Sequence, residues 1–462
     1  MAEGTWKELI QRKELRKGRN KMQYNIMDYG AIPDGVTNNQ PMIQQAIDAC
    51  AKTGGTVVIP AGNFLSGTIR LRSNMELHLE RGSVLTVSRN PEHIRTETEE
   101  NDSSSDTMDN IDSGSFLYAC HEKNITISGD GMIDGQGRNV YVDDNADEGM
   151  HECPLNVEGF RPRTSYLEDI DGLTVTGITF YDASFWTLHM AGCRNVRIDG
   201  IQIRNNDRGP NNDGIDPDAC QNVIISNCMI ESGDDAIVLK ATKPIWEKYG
   251  NCENIVIRGC ILHSRDSALK IGTETYGDIR NVILSDCIVK DCSRAVGIWA
   301  RDGGTIEDIY VHHILANTKR YADCPKRSFA PRWWGKGEPV FVSAAFRNQE
   351  KRYPGTIRRV AFEHVQLFCE SSIFIAGEQE ARIEDVVFRD CCFTWKKQGN
   401  FLPDVFDEQP SVHDVYPHEI PWLYVRSADG ISVSGQYVID ESLAGYVGET
   451  AEIEDSSRIE LP

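Results

Sequence analysis

The chain is short of positive charge: 48 lysines and arginines stand against 70 aspartates and glutamates, a formal net charge of −22. Nucleic acid and anionic membrane surfaces are therefore not expected partners, because both need a basic stripe to displace counterions. No apolar run approaches the roughly 18 to 20 residues of a membrane helix. The first residues, MAEGTWKELIQRKELRKGRNK, are basic and broken by charge. They lack the apolar stretch of about 7 to 15 residues that marks a secretory signal, so the expected location is the cytoplasm. Fourteen cysteines are present, yet none form a CxxC pair. They are expected as small buried hydrophobes rather than disulfides or metal ligands, and no metal or cofactor is implied. Oligomeric state leaves no mark in the sequence.

With 40% hydrophobic residues the chain can bury a core. Length alone suggests about three domains, but an internal repeat overrules that count. CRNVRIDG (from Cys193), CQNVIISNC (from Cys220), CENIVIRGC (from Cys252) and IRNVILSDC (from Ile279) are variants of one phrase. Their asparagines, Asn195, Asn222, Asn254 and Asn281, lie 27, 32 and 27 residues apart. Fainter copies start at Lys123, Ile306, Ile357 and Ile383. Within each copy apolar and polar residues alternate, as in a short strand with one buried face, and Gly, Asn or Asp then breaks the run. Such strands bury their inner face only by stacking on the next copy. The repeat predicts an all-β solenoid, a parallel β-helix, with the Cys and Asn positions as inward ladders about 4.8 Å apart.

Near the start, NNQPMIQQAIDACAKTGG places Ile43, Ala46, Ile47 and Cys50 on one helical face, a cap for the first coil. The expected layout is a basic segment 1–23, one β-helix domain over 24–395, then coils and an acidic tail over 396–462. Loops are expected near 95–115, which is acidic and Ser-rich, and over 318–356, which carries Trp333 and Trp334.

Chemistry concentrates in GPNNDGIDPDACQNVIISNCMIESGDDAIVLK. It holds Asp213, Asp216 and Asp218, then Asp234 and Asp235, the former 21 residues beyond Asp213. Alone, GDD and NDG are common turns. At one-coil spacing, three carboxylates converge on one outer face and raise each other's pKa, so that one holds a proton beside an ionised partner.

The order YDASFWTLH, GPNNDGIDPD, ESGDDAIVLK, after YGAIPDGVTNNQPMIQQAIDAC and GGTVVIPAG, resembles glycoside hydrolase family 28, the polygalacturonases and their pectin-cleaving relatives. The resemblance covers roughly residues 24 to 395. It implies a right-handed parallel β-helix and hydrolysis with inversion at the anomeric carbon. Asn211-Asn212-Asp213 stands at the family's Asn-Thr-Asp, and Gly233-Asp234-Asp235 at its Gly-Asp-Asp. Carried over, Asp234 is the general acid, and Asp213 and Asp235 hold and deprotonate the attacking water. An inverting pair stands about 6.5 to 9.5 Å apart, a gap expected from a diagonal across coils.

The family's Gly-His-Gly is missing from HSRDSALKIGTE, where Asp266 or Ser267 takes the histidine's place. Its Arg-Ile-Lys becomes Gly297-Ile298-Trp299. Those absent cations grip galacturonate, so a modified substrate such as a rhamnogalacturonan fragment is expected, with exo-action on short oligosaccharides. Substrate contacts are expected from Asn211, His189, Lys240, Asp266, Lys270, Trp299, Arg301 and Trp334. By alternation Lys270, Trp299 and Arg301 face outward. Two other readings remain. One is a calcium-dependent polysaccharide lyase, with the aspartates on the ion and Lys270 or Arg301 as base. The other is a non-catalytic carbohydrate-binding β-helix.

Overall fold

The computed structural model describes residues 22–95, 114–143, 154–321 and 334–462. The N-terminal segment up to residue 21, most of the acidic loop, and Trp333 lie outside the described residues.

Alternating apolar residues bury one face per strand, and successive copies stack in register. The column Ile198, Ile225, Ile257, Leu284, Val311, Phe362, Phe388, Val433 runs through eight coils by parallel pairing. Each of these side chains is buried, which contributes roughly 1.5–3 kcal/mol apiece. Two long parallel sheets result among the described residues, of 24 and 12 strands. The chain is a parallel β-helix, as the repeat predicted. The helix Gln40–Ala51 closes the first coil, burying Ile43, Ala46, Ile47 and Cys50.

Two expectations need correction. The cysteine ladder is internal, with Cys193, Cys220 and Cys252 buried, but the asparagine ladder is not. Asn195, Asn222, Asn254 and Asn281 have φ of 56°, 58°, 63° and 57°. They turn the chain in the left-handed region, which asparagine tolerates. Their exposed amides bond to one another from coil to coil at 3.3, 3.1 and 2.9 Å. The excursion after Thr318 is also shorter than expected. The run VFVSA, buried at every position, rejoins the smaller sheet as Val340–Ala344, between Arg294–Ala300 and Ile373–Ala376. Beyond residue 395 both sheets continue, through Leu423–Arg426 and Ala428–Ile439 to Ser457–Glu460.

One edge of the stack matters for chemistry. On it lie the turns that lead into the strands Ile215–Asp218, Ile237–Ala241, Ser267–Thr275 and Arg294–Ala300 of the smaller sheet.

Candidate active site

The turn Asn211–Asp213 of one coil lies against Gly233–Asp235 of the next. Asn212 holds them together: its side-chain oxygen accepts the amides of Gly233 and Asp234 at 2.8 and 3.2 Å. Gly233 permits the approach, since a Cβ there would meet Gly209 O at 2.4 Å. Asp213, Asp234 and Asp235 consequently bring one carboxylate oxygen each within 4.8 Å of the other two. These near oxygens meet because the turn of Asp213 lies one coil from the turn that carries Asp234 and Asp235. Asp213 and Asp234 are 3% and 4% exposed, beside the partly buried Asn211 and Lys270.

The three carboxyls are not equivalent. Lys270 Nζ lies 2.9 Å from Asp235 Oδ2, and Lys240 Nζ 3.9 Å from Asp213 Oδ2. The other oxygens, Asp213 Oδ1 and Asp235 Oδ1, are buried without a protein hydrogen-bond partner. Asp234 has no cation within 4 Å among the described residues. Its oxygens accept backbone amides instead, from Asn211 and Asp235, each at 3.0 Å. Burial, then Asp213, raises the Asp234 carboxyl to about 7. Burial pushes Asp213 and Asp235 well up too, so the cluster as a whole takes up a proton near neutrality. We place that proton on Asp234 despite the stronger upward push on its neighbours, because the ammonium groups touch only those neighbours.

The same two lysines bear on calcium. The three carboxylates are near enough to share a cation, but the flanking Lys240 and Lys270 already supply the opposing charge. Calcium wants six to eight oxygens.

Around this centre the expected substrate residues divide. Asn211, at φ 53°, presents its side chain at the rim, where Arg161 Nη2 donates to its Oδ1 at 3.0 Å. Lys240 is 5% exposed and also faces Asp216 and Glu274, at 4.0 and 3.5 Å, so it balances charge inside the site. Trp334, expected to touch substrate, is 2% exposed and instead reaches back 101 residues to donate its indole N–H to Gly233 O at 3.0 Å. Arg265 stacks 4.2 Å from the Tyr321 ring and bonds Asp207, closing the edge beyond the cluster.

Four further expectations of direct substrate contact are corrected. His189 is 2% exposed, packed between Tyr166 and Trp186, and burial pulls its pKa down to about 4, leaving a neutral core imidazole. Asp266 is fully buried and bound by Arg294 at 2.9 Å, so it supports neighbours rather than sugar. Trp299 is 2% exposed and covers its own strand: a Cβ at Gly297 would lie 2.2 Å from its ring. The two departures from Arg-Ile-Lys are thus one packing unit. Arg301 is 1% exposed, and its guanidinium donates to the carbonyls of Pro410, Ala300, Ser343 and Glu408.

Sequence reasoning missed Arg161, Glu274 and Arg294, and it named Asn212 within its motif without the role of joining the two turns. Asn212 was legible in NNDG as a turn residue. The others carry no repeat signal, since each meets its partner across coils.

A model of the family "Glycosyl hydrolases family 28" matches residues 50–320. A "Probable polygalacturonase" of Vitis vinifera is 29% identical over 268 residues, 52% of this chain and 50% of that protein. An "Exo-poly-alpha-D-galacturonosidase" of Dickeya chrysanthemi is 30% identical over 251 residues, 46% of this chain and 41% of that one. The chain thus spans about half the length of such curated relatives, or less. Among solved structures, the exopolygalacturonase of Thermotoga maritima has a TM-score of 0.65 at 22% identity, covering 84% of this chain and 89% of its own. The family 28 exopolygalacturonase of Yersinia enterocolitica has a TM-score of 0.73 at 17% identity, covering 96% and 79%. These two likenesses establish the β-helix; the matched family model, which spans more than half of the residues and includes all three aspartates, establishes that the chain belongs to glycosyl hydrolases family 28.

Proposed function

We propose that the chain is a pectin-directed glycoside hydrolase acting from the end of an oligosaccharide, with inversion. The observation that carries this reading is the asymmetry among the three carboxyls. Asp234, without a cation, gives its proton to the leaving glycosidic oxygen as the C1–O bond breaks. Asp213 Oδ1 and Asp235 Oδ1 accept from a water whose oxygen attacks C1, and one of them takes its proton. For exo-action, the Trp334–Gly233 contact walls one side of the cluster. The polygalacturonase names of the relatives favour a pectic substrate, and the missing Gly-His-Gly and Arg-Ile-Lys favour a modified one, of rhamnogalacturonan type.

The close approach of the three carboxyls favours one second reading. Carboxyl groups about 5 to 5.5 Å apart accompany retention through a covalent glycosyl-enzyme. Proton NMR of the first product formed from pectic oligosaccharides separates the two. Inversion releases the opposite anomer; the same anomer overturns the proposal and leaves retention. An unsaturated product absorbing near 235 nm, lost on chelation, would point to the lyase instead.

The rate is expected to fall above about pH 7, as Asp234 loses the proton it must donate. A rate that keeps rising to pH 9 would assign the acid elsewhere.

A further inference from the structure

The coil that lacks the family histidine carries Asp266 and Lys270. The Lys270 ammonium is held from three sides: 2.9 Å from Asp235 Oδ2, 3.4 Å from Asp266 Oδ2, and 5.2 Å from the centre of the Trp299 ring. Asp266 is itself fixed. Arg294 Nη1 reaches its Oδ1 at 2.9 Å, and its amide donates to Ser264 Oγ at 2.8 Å. Arg294 in turn lies 3.4 Å from Glu338, on the coil that supplies Trp334. Lysine has a long stem with free rotation and is a poor orienting group unless its neighbours restrain it; here they do.

We infer that Lys270 is a positioning residue: held by Asp266 and Trp299, its ammonium grips Asp235 Oδ2, keeps that carboxylate ionised and aims Oδ1 at the attacking water. The inference rests on the hydrolase reading above and adds the part that stands in for the missing histidine. Other charges facing Asp235 are Asp234, Asp213, Asp216 and Asp266, which oppose its ionisation, and Lys240 and Arg294, which favour it from farther away. Lys270 is the one cation within 4 Å of Asp235 among the described residues. Its side chain is only 12% exposed, so its first partner is the carboxylate and not the sugar.

The test compares the full chain with its Lys270→Met, Lys270→Arg and Asp266→Asn variants on oligogalacturonides and rhamnogalacturonan oligosaccharides. Lys270→Met is expected to lower kcat at least about tenfold with KM little changed. The acid limb of its pH–rate profile should move up by about one unit or more, since losing an adjacent cation raises a carboxylate's pKa. Lys270→Arg should restore part of both. Asp266→Asn removes both an anchor of Lys270 and a charge that opposes Asp235's ionisation, so its readout is kcat, expected to fall severalfold at little-changed KM, and it keeps the test alive should Lys270→Met fail to fold. An unmoved acid limb in Lys270→Met, or an unchanged kcat in Asp266→Asn, overturns the inference. So does a KM increase confined to uronate-bearing substrates, which would make Lys270 a substrate ligand. Asp234→Asn separates the two levels: full activity there removes the hydrolase reading itself, whereas an inactive Asp234→Asn beside a wild-type-like Lys270→Met removes only the role of Lys270.

Discussion

Asp234→Asn is expected to slow hydrolysis by about 100-fold or more while the β-helix stays folded. The magnitude is that of a positioned general acid. The change is small in volume, and two structural effects oppose each other. The carboxyl accepts two backbone amides, from Asn211 and Asp235. An amide has one oxygen, so one of these bonds is lost, at roughly 0.5–1.5 kcal/mol. Against that, a buried acid leaves a cluster whose like charges repel. Melting temperature should therefore move little while product release collapses, measured as reducing ends from pectic oligosaccharides. Wild-type turnover would sink the assignment, because no other carboxyl of the three lacks an ammonium contact. Asp213→Asn and Asp235→Asn are expected to lose activity too, through the water rather than the leaving group.

Arg301→Met should do the reverse: a large loss of stability, with the folded fraction still active. The guanidinium, just after strand Arg294–Ala300, binds the late segment through Pro410 O at 2.7 Å and Glu408 O at 3.1 Å, and the next strand through Ser343 O and Oγ at 2.9 and 3.0 Å. Methionine fills most of the volume and supplies no donor. Each buried acceptor left alone costs about 1–3 kcal/mol. The sum after relaxation is expected near 3–5 kcal/mol, the range found when a buried charged partner is removed. Urea unfolding with kcat corrected for the folded fraction checks it. Unchanged stability with a raised KM would return Arg301 to the substrate, where alternation had put it.

Arg301 also shows how far alternation reaches. Outward from a coil was read correctly, yet outward is not the same as exposed. Residues 396–422, which carry no repeat, run over that face, and nothing in the local pattern around Ile298 announces them. Trp299 misled for a related reason. Its exposure depended on Gly297, whose missing side chain lets the indole fold down over its own strand. The asparagine ladder was found by spacing but placed on the wrong side, because a turn residue with positive φ leaves the period-two pattern that decides in from out.

The sequence by itself determined the solenoid, its capping helix and the meeting of Asp213 with Asp234 and Asp235. All three follow from periodicity, and periodicity is a property of neighbours along the chain. Only the tertiary structure showed which carboxyls the two ammonium groups touch, that Lys270 meets Asp235, and that Arg301 and His189 are buried framework. Those outcomes depend on contacts between coils some 20 to 110 residues apart, in a buried setting where a few ångströms between charges outweigh anything a spacing can specify.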